Sequence, residues 1–124
     1  MTDKLPASRQ APLIDGATWP TMTASPVSKP TAAERAALVR LLDWAEGDTG
    51  QSRRVADFLL AWWNPASCGG FDLTTLWGVD GAIAADMATV FALIARVHAY
   101  PDTLGFEAQF KAVVRTWRPG LVQQ

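Results

Sequence analysis

Hydrophobic residues recur at helical spacing from residue 31 onward. Thr31 and Glu34 stand three positions apart, the arrangement in which each side chain accepts from the other's free backbone amide at a helix start. The pattern predicts a first helix from about Ala32 to Glu46, ended at Gly47. Its apolar face consists of Leu38, Leu41, Leu42 and Ala45.

A second apolar stripe follows the short connection GDTG. The pair Asn64-Pro65 must stop this helix, because proline disfavours helical geometry in the residue before it. We expect the first two helices to form an antiparallel hairpin. The second stripe consists of Val55, Phe58, Leu59 and Trp62.

Three more helices are predicted in the C-terminal half. Asp72 is placed to cap a short helix LTTLW, and Asp80 to cap a longer one from about Gly81 to Ala99. The long helix combines one broad apolar face with many alanines, which predicts a central position in the fold. That face consists of Ile83, Met87, Val90, Phe91 and Ile94. The last helix starts near Phe106 and ends before Pro119-Gly120.

The sequence therefore predicts an all-α protein, a compact bundle of about five helices, one of them short, with an extended proline-rich N-terminal arm. Residues 1–30 contain five of the eight prolines among Ser, Thr and Ala, which disfavours a sheet or a long helix. We expect an arm that is either flexible or docked through Leu13, Ile14 and Trp19. Residues 31–119 form the helical domain, and residues 120–124 a short tail.

Charge narrows the classes of function. Eleven basic and twelve acidic residues nearly cancel, so no overall positive field favours nucleic acid or an anionic membrane surface. The N-terminal sequence lacks an apolar secretory segment, and the most apolar stretch is too short to cross a bilayer. One cysteine cannot form an internal disulfide. We expect a cytoplasmic protein that does not bind membranes.

The candidate chemistry is sparse. Cys68 precedes a Gly-Gly pair, but the single histidine, His98, is thirty residues away, so no adjacent base is predicted for the thiol. One Cys and one His do not make a zinc site, and the glycines match no phosphate-binding pattern. Capping and turn contexts explain most of the aspartates Asp72, Asp80, Asp86 and Asp102. We predict no catalytic, cofactor-binding or metal-binding residue and no cofactor, although an enzyme using clustered aspartates is an alternative.

A nucleic-acid-binding accessory role is a second alternative. Arg53 and Arg54 begin the second helix, where they could contact phosphates. A recognition helix needs polar and basic residues along its exposed face, whereas VADFLLAWW is almost entirely apolar. The pattern disfavours nucleic acid as a partner.

Six tryptophans are the most unusual feature of the composition. Trp44, Trp62 and Trp117 fall on or beside the apolar stripes, which predicts that they belong to the core. Trp63 and Trp77 fit the stripes less well and flank a corner made by Gly69 and Gly70. Because tryptophan is enriched at protein interfaces, a partner-binding patch is predicted at Trp63, Phe71 and Trp77.

The pattern GDTGQSRRVADFLLAWWN, CGGFDLTTLWGVD, IAADM, YPDTLGFEAQF and VRTW over residues 47–118 resembles an uncharacterised bacterial domain family encoded on conjugative elements and plasmids. The resemblance implies no catalytic residues. It implies a non-enzymatic protein-interaction module of a mobile genetic element, and an inhibitor of a host defence complex, such as a CRISPR system, is one such role. The expected partner is a protein.

Overall fold

The computed structural model describes residues 29–122, which contain α-helices and 3₁₀ helices and no β-strand. Five α-helices follow in order: α1 (Ala32–Ala45), α2 (Gly50–Trp63), α3 (Pro65–Cys68), α4 (Gly81–Val97) and α5 (Glu107–Trp117). Three 3₁₀ helices cover Leu73–Gly78, Pro101–Leu104 and Pro119–Val122. The all-α prediction is confirmed. The predicted N-terminal arm, residues 1–30, lies outside the described residues except for its last two positions.

The start of α1 confirms the predicted capping box. The Thr31 hydroxyl accepts from the Glu34 amide at 3.0 Å, and the Glu34 carboxylate accepts from the Thr31 amide at 2.9 Å. Two otherwise unpaired amides of the first turn are thereby satisfied. The same carboxylate also binds Arg96 of α4, so the cap is tied to a second helix.

The core lies between α1, α2, α4 and α5. Helix α2 begins after Thr49, whose hydroxyl accepts from the Ser52 amide at 3.1 Å, and both predicted stripes of the first two helices face inward. The largest fully buried side chains are Phe110, Leu38, Leu41, Leu59, Leu60, Ile83, Met87, Leu93, Val55, Val90, Val113 and Val114.

The short elements differ from the prediction. The segment LTTLW is a 3₁₀ helix, and the additional α3, one turn long, starts where Asn64 and Pro65 provide a cap and a first residue. Asp80 occupies the cap position of α4 but makes no side-chain cap bond, and its amide instead donates to Gln51 Oε1 at 3.1 Å. Helix α4 ends at Val97 rather than Ala99, because His98 is left-handed at φ 59° and ψ 45°.

The prediction of a central long helix was wrong. Helix α4 packs chiefly on α1 and buries only the face that carries Ile83, Met87, Val90 and Leu93. Phe91, which was expected on the buried face, is 61% exposed. Position 91 is about 100° around the helix from Val90, so it turns away from α1.

Two of the three tryptophans predicted for the core pack against it while remaining partly accessible. Trp62 donates to the Ala99 carbonyl at 3.1 Å, and Trp117 donates to the Ala45 carbonyl at 2.8 Å. The indole of Trp62 also meets the ring of Phe110 edge to face, with centroids 5.7 Å apart. The prediction that Trp44 belongs to the core was wrong, since its side chain is 39% exposed. Trp44 lies beside the inward-facing residues of α1 and not among them.

Candidate interaction surface

The chain turns sharply between α2 and α4. Asn64 accepts from the Ser67 amide and starts α3, after which Gly69 adopts φ 99°, a conformation that side chains other than glycine resist. The Asp72 carboxylate then accepts from the Thr74 amide at 2.9 Å and begins the next 3₁₀ helix, as the sequence predicts. This turn places residues 71–78 beside α4.

Phe71 anchors this segment to the domain. Its ring meets that of Phe58 on α2 edge to face, with centroids 5.3 Å apart, and the Phe71 side chain is half-buried. Aromatic pairs in this geometry contribute about 0.5–1.5 kcal/mol beyond the area they bury. The 3₁₀ helix that follows is therefore held beside α4.

Two adjoining apolar clefts lie between this 3₁₀ helix and α4. The first has a volume of about 300 Å³ and the second of about 410 Å³. Both clefts are lined by Phe58, Phe71, Leu73 and Phe91, so they form one continuous surface. The first adds Leu76, Ala84, Met87 and Ala88, and the second adds Ala61, Trp62, Pro65, Ile94 and Tyr100.

The accessible side chains of this surface are large and uncharged. Leu73 is 67% exposed, Phe91 61% and Tyr100 63%. Isolated apolar side chains are common on protein surfaces, whereas several around one cleft are typical of interaction surfaces. We call the surface formed by Phe71, Leu73, Leu76, Phe91 and Tyr100 the apolar face.

The three residues of the predicted patch do not line one cleft. Phe71 lies in the apolar face, whereas Trp77, 87% exposed, stands at the end of the 3₁₀ helix outside both clefts. Trp63 is half-buried, donates to Asp102 at 3.0 Å and lines separate clefts, one of them with Arg115 of α5.

Leu73, Phe91 and Tyr100 were not among the partner-binding residues predicted from the sequence. Phe91 matches the helical period of the buried residues, so periodicity alone assigned it to the core. Its neighbour Val90 is fully buried. The large number of alanines on α4 was the available indication that part of this helix lacks a covering element.

The arginines of the nucleic-acid alternative lie at the start of α2. Arg53 is exposed, whereas Arg54 is half-buried. The Arg54 guanidinium lies against Gly78, where an added Cβ would stand 3.2 Å from its Nε. Arg54 therefore packs along the end of the 3₁₀ helix, whereas Arg53 is exposed to solvent.

Cys68 is buried at the end of α3. Burial raises the pKa of its thiol above the usual value, although the Arg118 guanidinium acts in the opposite direction. Since the thiolate is the reactive form, this environment disfavours a nucleophile. His98 contacts the Ala95 carbonyl at 3.0 Å through Nε2.

The four aspartates considered above have separate local contacts. Asp86 accepts from Arg40 at 2.9 and 3.0 Å, and Asp102 accepts from Trp63. Asp72 caps its own turn, and Asp80 stands next to Gln51. Within residues 29–122, no three His, Cys, Asp or Glu side chains gather where they could hold a metal ion. Over the same residues, no helix has both the length and the apolar character required to span a membrane.

Over residues 29–122, fold and surface together define a small all-helical domain with an exposed apolar face. The chain belongs to DUF7673, a family of unknown function whose pattern matches residues 35–118. No curated protein and no solved structure matches the chain.

Proposed function

We propose that this protein is a non-enzymatic protein-interaction module that binds through the apolar face. The observation that carries this proposal is the continuous cleft between α4 and the 3₁₀ helix, bordered by Leu73, Phe91 and Tyr100 at 61–67% exposure. Water around such side chains is released on association, and aromatic residues in clefts are the usual energetic centres of interfaces.

The proposed setting follows from the family resemblance described above. It is a bacterial mobile genetic element, on which the module would inhibit a host defence complex such as a CRISPR system. The apolar face supports the binding role, and the setting rests on the resemblance alone. A cytoplasmic location is proposed with it.

A capture experiment tests the proposed function. The full chain, Phe91→Ala and Val39→Ala are each used to capture proteins from a bacterial lysate at equal concentration. Val39 is the matched control because it is 46% exposed on α1 and lines neither cleft. We expect a protein that the wild type and Val39→Ala retain and that Phe91→Ala binds at least about 10-fold more weakly.

The nucleic-acid alternative predicts a different result in a binding assay with DNA or RNA. A nucleic-acid accessory protein would shift DNA or RNA in a salt-sensitive way, and Arg53→Ala would weaken that shift while Phe91→Ala would not. Equal capture by all three proteins would remove the apolar face from the proposal.

A further inference from the structure

We infer that the apolar face of this chain binds a second copy of the same chain, through an antiparallel pairing of α4 with the partner subunit's α4. The inference rests on the proposed interaction role and names one partner for that face. Three observations carry it: the uncharged outer side of α4, the cleft beside Phe91, and the spacing of the small residues.

The outer side of α4 carries no charged side chain. The helix contains two charged residues, and both are turned to α1: Asp86 pairs with Arg40 at 2.9 Å, and Arg96 pairs with Glu34 at 2.6 Å. The exposed positions are Gly81, Ala82, Ala85, Ala88, Phe91, Ala92 and Ala95. A solvent-facing helix normally presents charged residues on this side. The composition instead matches a helix that is covered on both sides.

Phe91 and the first cleft provide a projection and a recess on the same surface. Phe91 is 61% exposed, and one heptad before it Ala84 lines the 300 Å³ cleft. A two-fold interface uses the same patch twice, so it requires both features within one face. A protein of another sequence would need only the recess, and self-complementarity therefore favours a second copy.

The small residues fix the register. Gly81, Ala85, Ala88, Ala92 and Ala95 are all exposed and follow one another at intervals of four, three, four and three residues. This is the 3.5-residue period of paired helices. With an antiparallel partner, Ala88 faces the partner subunit's Ala85, and Phe91 faces the partner subunit's Ala84. The Phe91 ring thus enters the cleft that the small side chain leaves open.

The antiparallel direction also agrees with electrostatics. Each α4 then places its positive N-terminal end beside the negative C-terminal end of the other, which is the favourable arrangement of two helix dipoles. A parallel pair would set Phe91 beside the partner subunit's Arg96 instead of its Ala84, and both clefts would remain unfilled. The absence of charge on the seam removes repulsion between identical surfaces.

The available area suits a reversible dimer. Helix α4 has 17 residues and is about 25 Å long, and together with the neighbouring 3₁₀ helix it forms a strip roughly 20 Å wide. Such a strip covers about 500 Å² in projection, and side-chain relief adds accessible area. Standard interfaces bury about 800 Å² per subunit, so this face lies below that class, in the range of weak and reversible complexes.

Sedimentation velocity on the full chain from about 1 to 500 μM tests the dimer, since interfaces of this size often have micromolar affinities. We expect a concentration-dependent monomer–dimer equilibrium. Ala88→Glu puts a charge into the seam and should raise the dissociation constant at least about 10-fold. Ala36→Glu, the same change at an exposed position of α1, should alter it by less than about 2-fold. Phe91→Ala should weaken the dimer by removing the projection.

Three outcomes overturn the inference. A monomer at every concentration does so, as does a dimer that Ala88→Glu leaves intact. If the protein is monomeric and Trp19→Ala destabilises it, the apolar face is covered by the N-terminal segment of the same chain. A monomer that still captures another protein through Phe91 leaves the proposed function standing, whereas a dimer that captures nothing leaves only the present inference.

Discussion

Arg96 of α4 donates to both carboxylate oxygens of Glu34 on α1, at 2.6 and 2.7 Å. Glu34 is also the acidic member of the capping box that begins α1, and the Arg96 Nη2 that donates to Glu34 Oε1 also donates to the Lys29 carbonyl at 3.1 Å. One ion pair therefore joins the start of α1, the chain before it and the last turn of α4. Arg96 in this position suits the negative helix end.

The ion pair predicts a pH dependence of folding stability. The hydrogen bonds from Arg96 hold the pKa of Glu34 at about 2, below its usual value of 4.5, against the opposing effect of burial. Because the unfolded carboxylate takes up its proton first, this stabilisation is complete above about pH 4.5 and is lost as the pH falls towards 2. With Arg96 one-third exposed, we expect a loss of about 1–2 kcal/mol.

Urea unfolding of Glu34→Gln between pH 7 and 2.5 measures this contribution. The variant keeps a capping oxygen but cannot titrate, so its curve should be flatter than that of the wild type. Glu107→Gln is the control, because Glu107 is 53% exposed and pairs with Lys111 at the surface. A Glu34→Gln curve parallel to the wild type would refute the prediction.

Tryptophan substitutions distinguish side chains that stabilise the fold from side chains that are exposed to solvent. Trp77→Ala should change the free energy of unfolding by less than about 0.5 kcal/mol, because the side chain is 87% exposed. Trp63→Ala should cost about 1–3 kcal/mol through lost packing and the lost bond to Asp102. Phe110→Ala, at a fully buried position, sets the upper end at about 3–5 kcal/mol. Strong destabilisation by Trp77→Ala would contradict its surface position.

The Cys68 thiol should resist modification in the folded protein. It is 5% exposed and its pKa is raised by burial, so labelling by a thiol reagent at pH 7 should be at least ~100-fold slower than in urea. Because Cys68 does not line the apolar face, Cys68→Ser should retain partner capture. Loss of capture with unchanged stability would assign the thiol a function.

Removal of residues 1–28 should leave a folded helical domain. The cap at Thr31, the ion pair of Glu34 and the core of α1, α2, α4 and α5 all lie beyond the cut. We expect the shortened chain to retain its helical circular dichroism and to lose less than about 2 kcal/mol of stability, the value of one large buried side chain. A larger loss would show that Leu13, Ile14 or Trp19 completes the core.

The sequence by itself determined the helices with strong local patterns. Thr31 and Glu34 form the predicted cap because the two groups that meet are three residues apart. The stripes of α1 and α2 face the core as predicted, with Trp62 partly accessible, since a helical period places those residues on one side. The turn at Gly69 and the cap at Asp72 were also predictable, because each depends on residues that are close in sequence.

Only the tertiary structure decided which side of α4 is covered. Val90 and Phe91 are adjacent and both apolar, yet Val90 is fully buried and Phe91 is 61% exposed. Local propensity cannot separate them, because burial depends on whether another helix occupies that side, and α1 covers one side alone. The apolar face likewise combines Phe71 with Tyr100, two residues distant in sequence that line one cleft only because the chain folds back between α2 and α4.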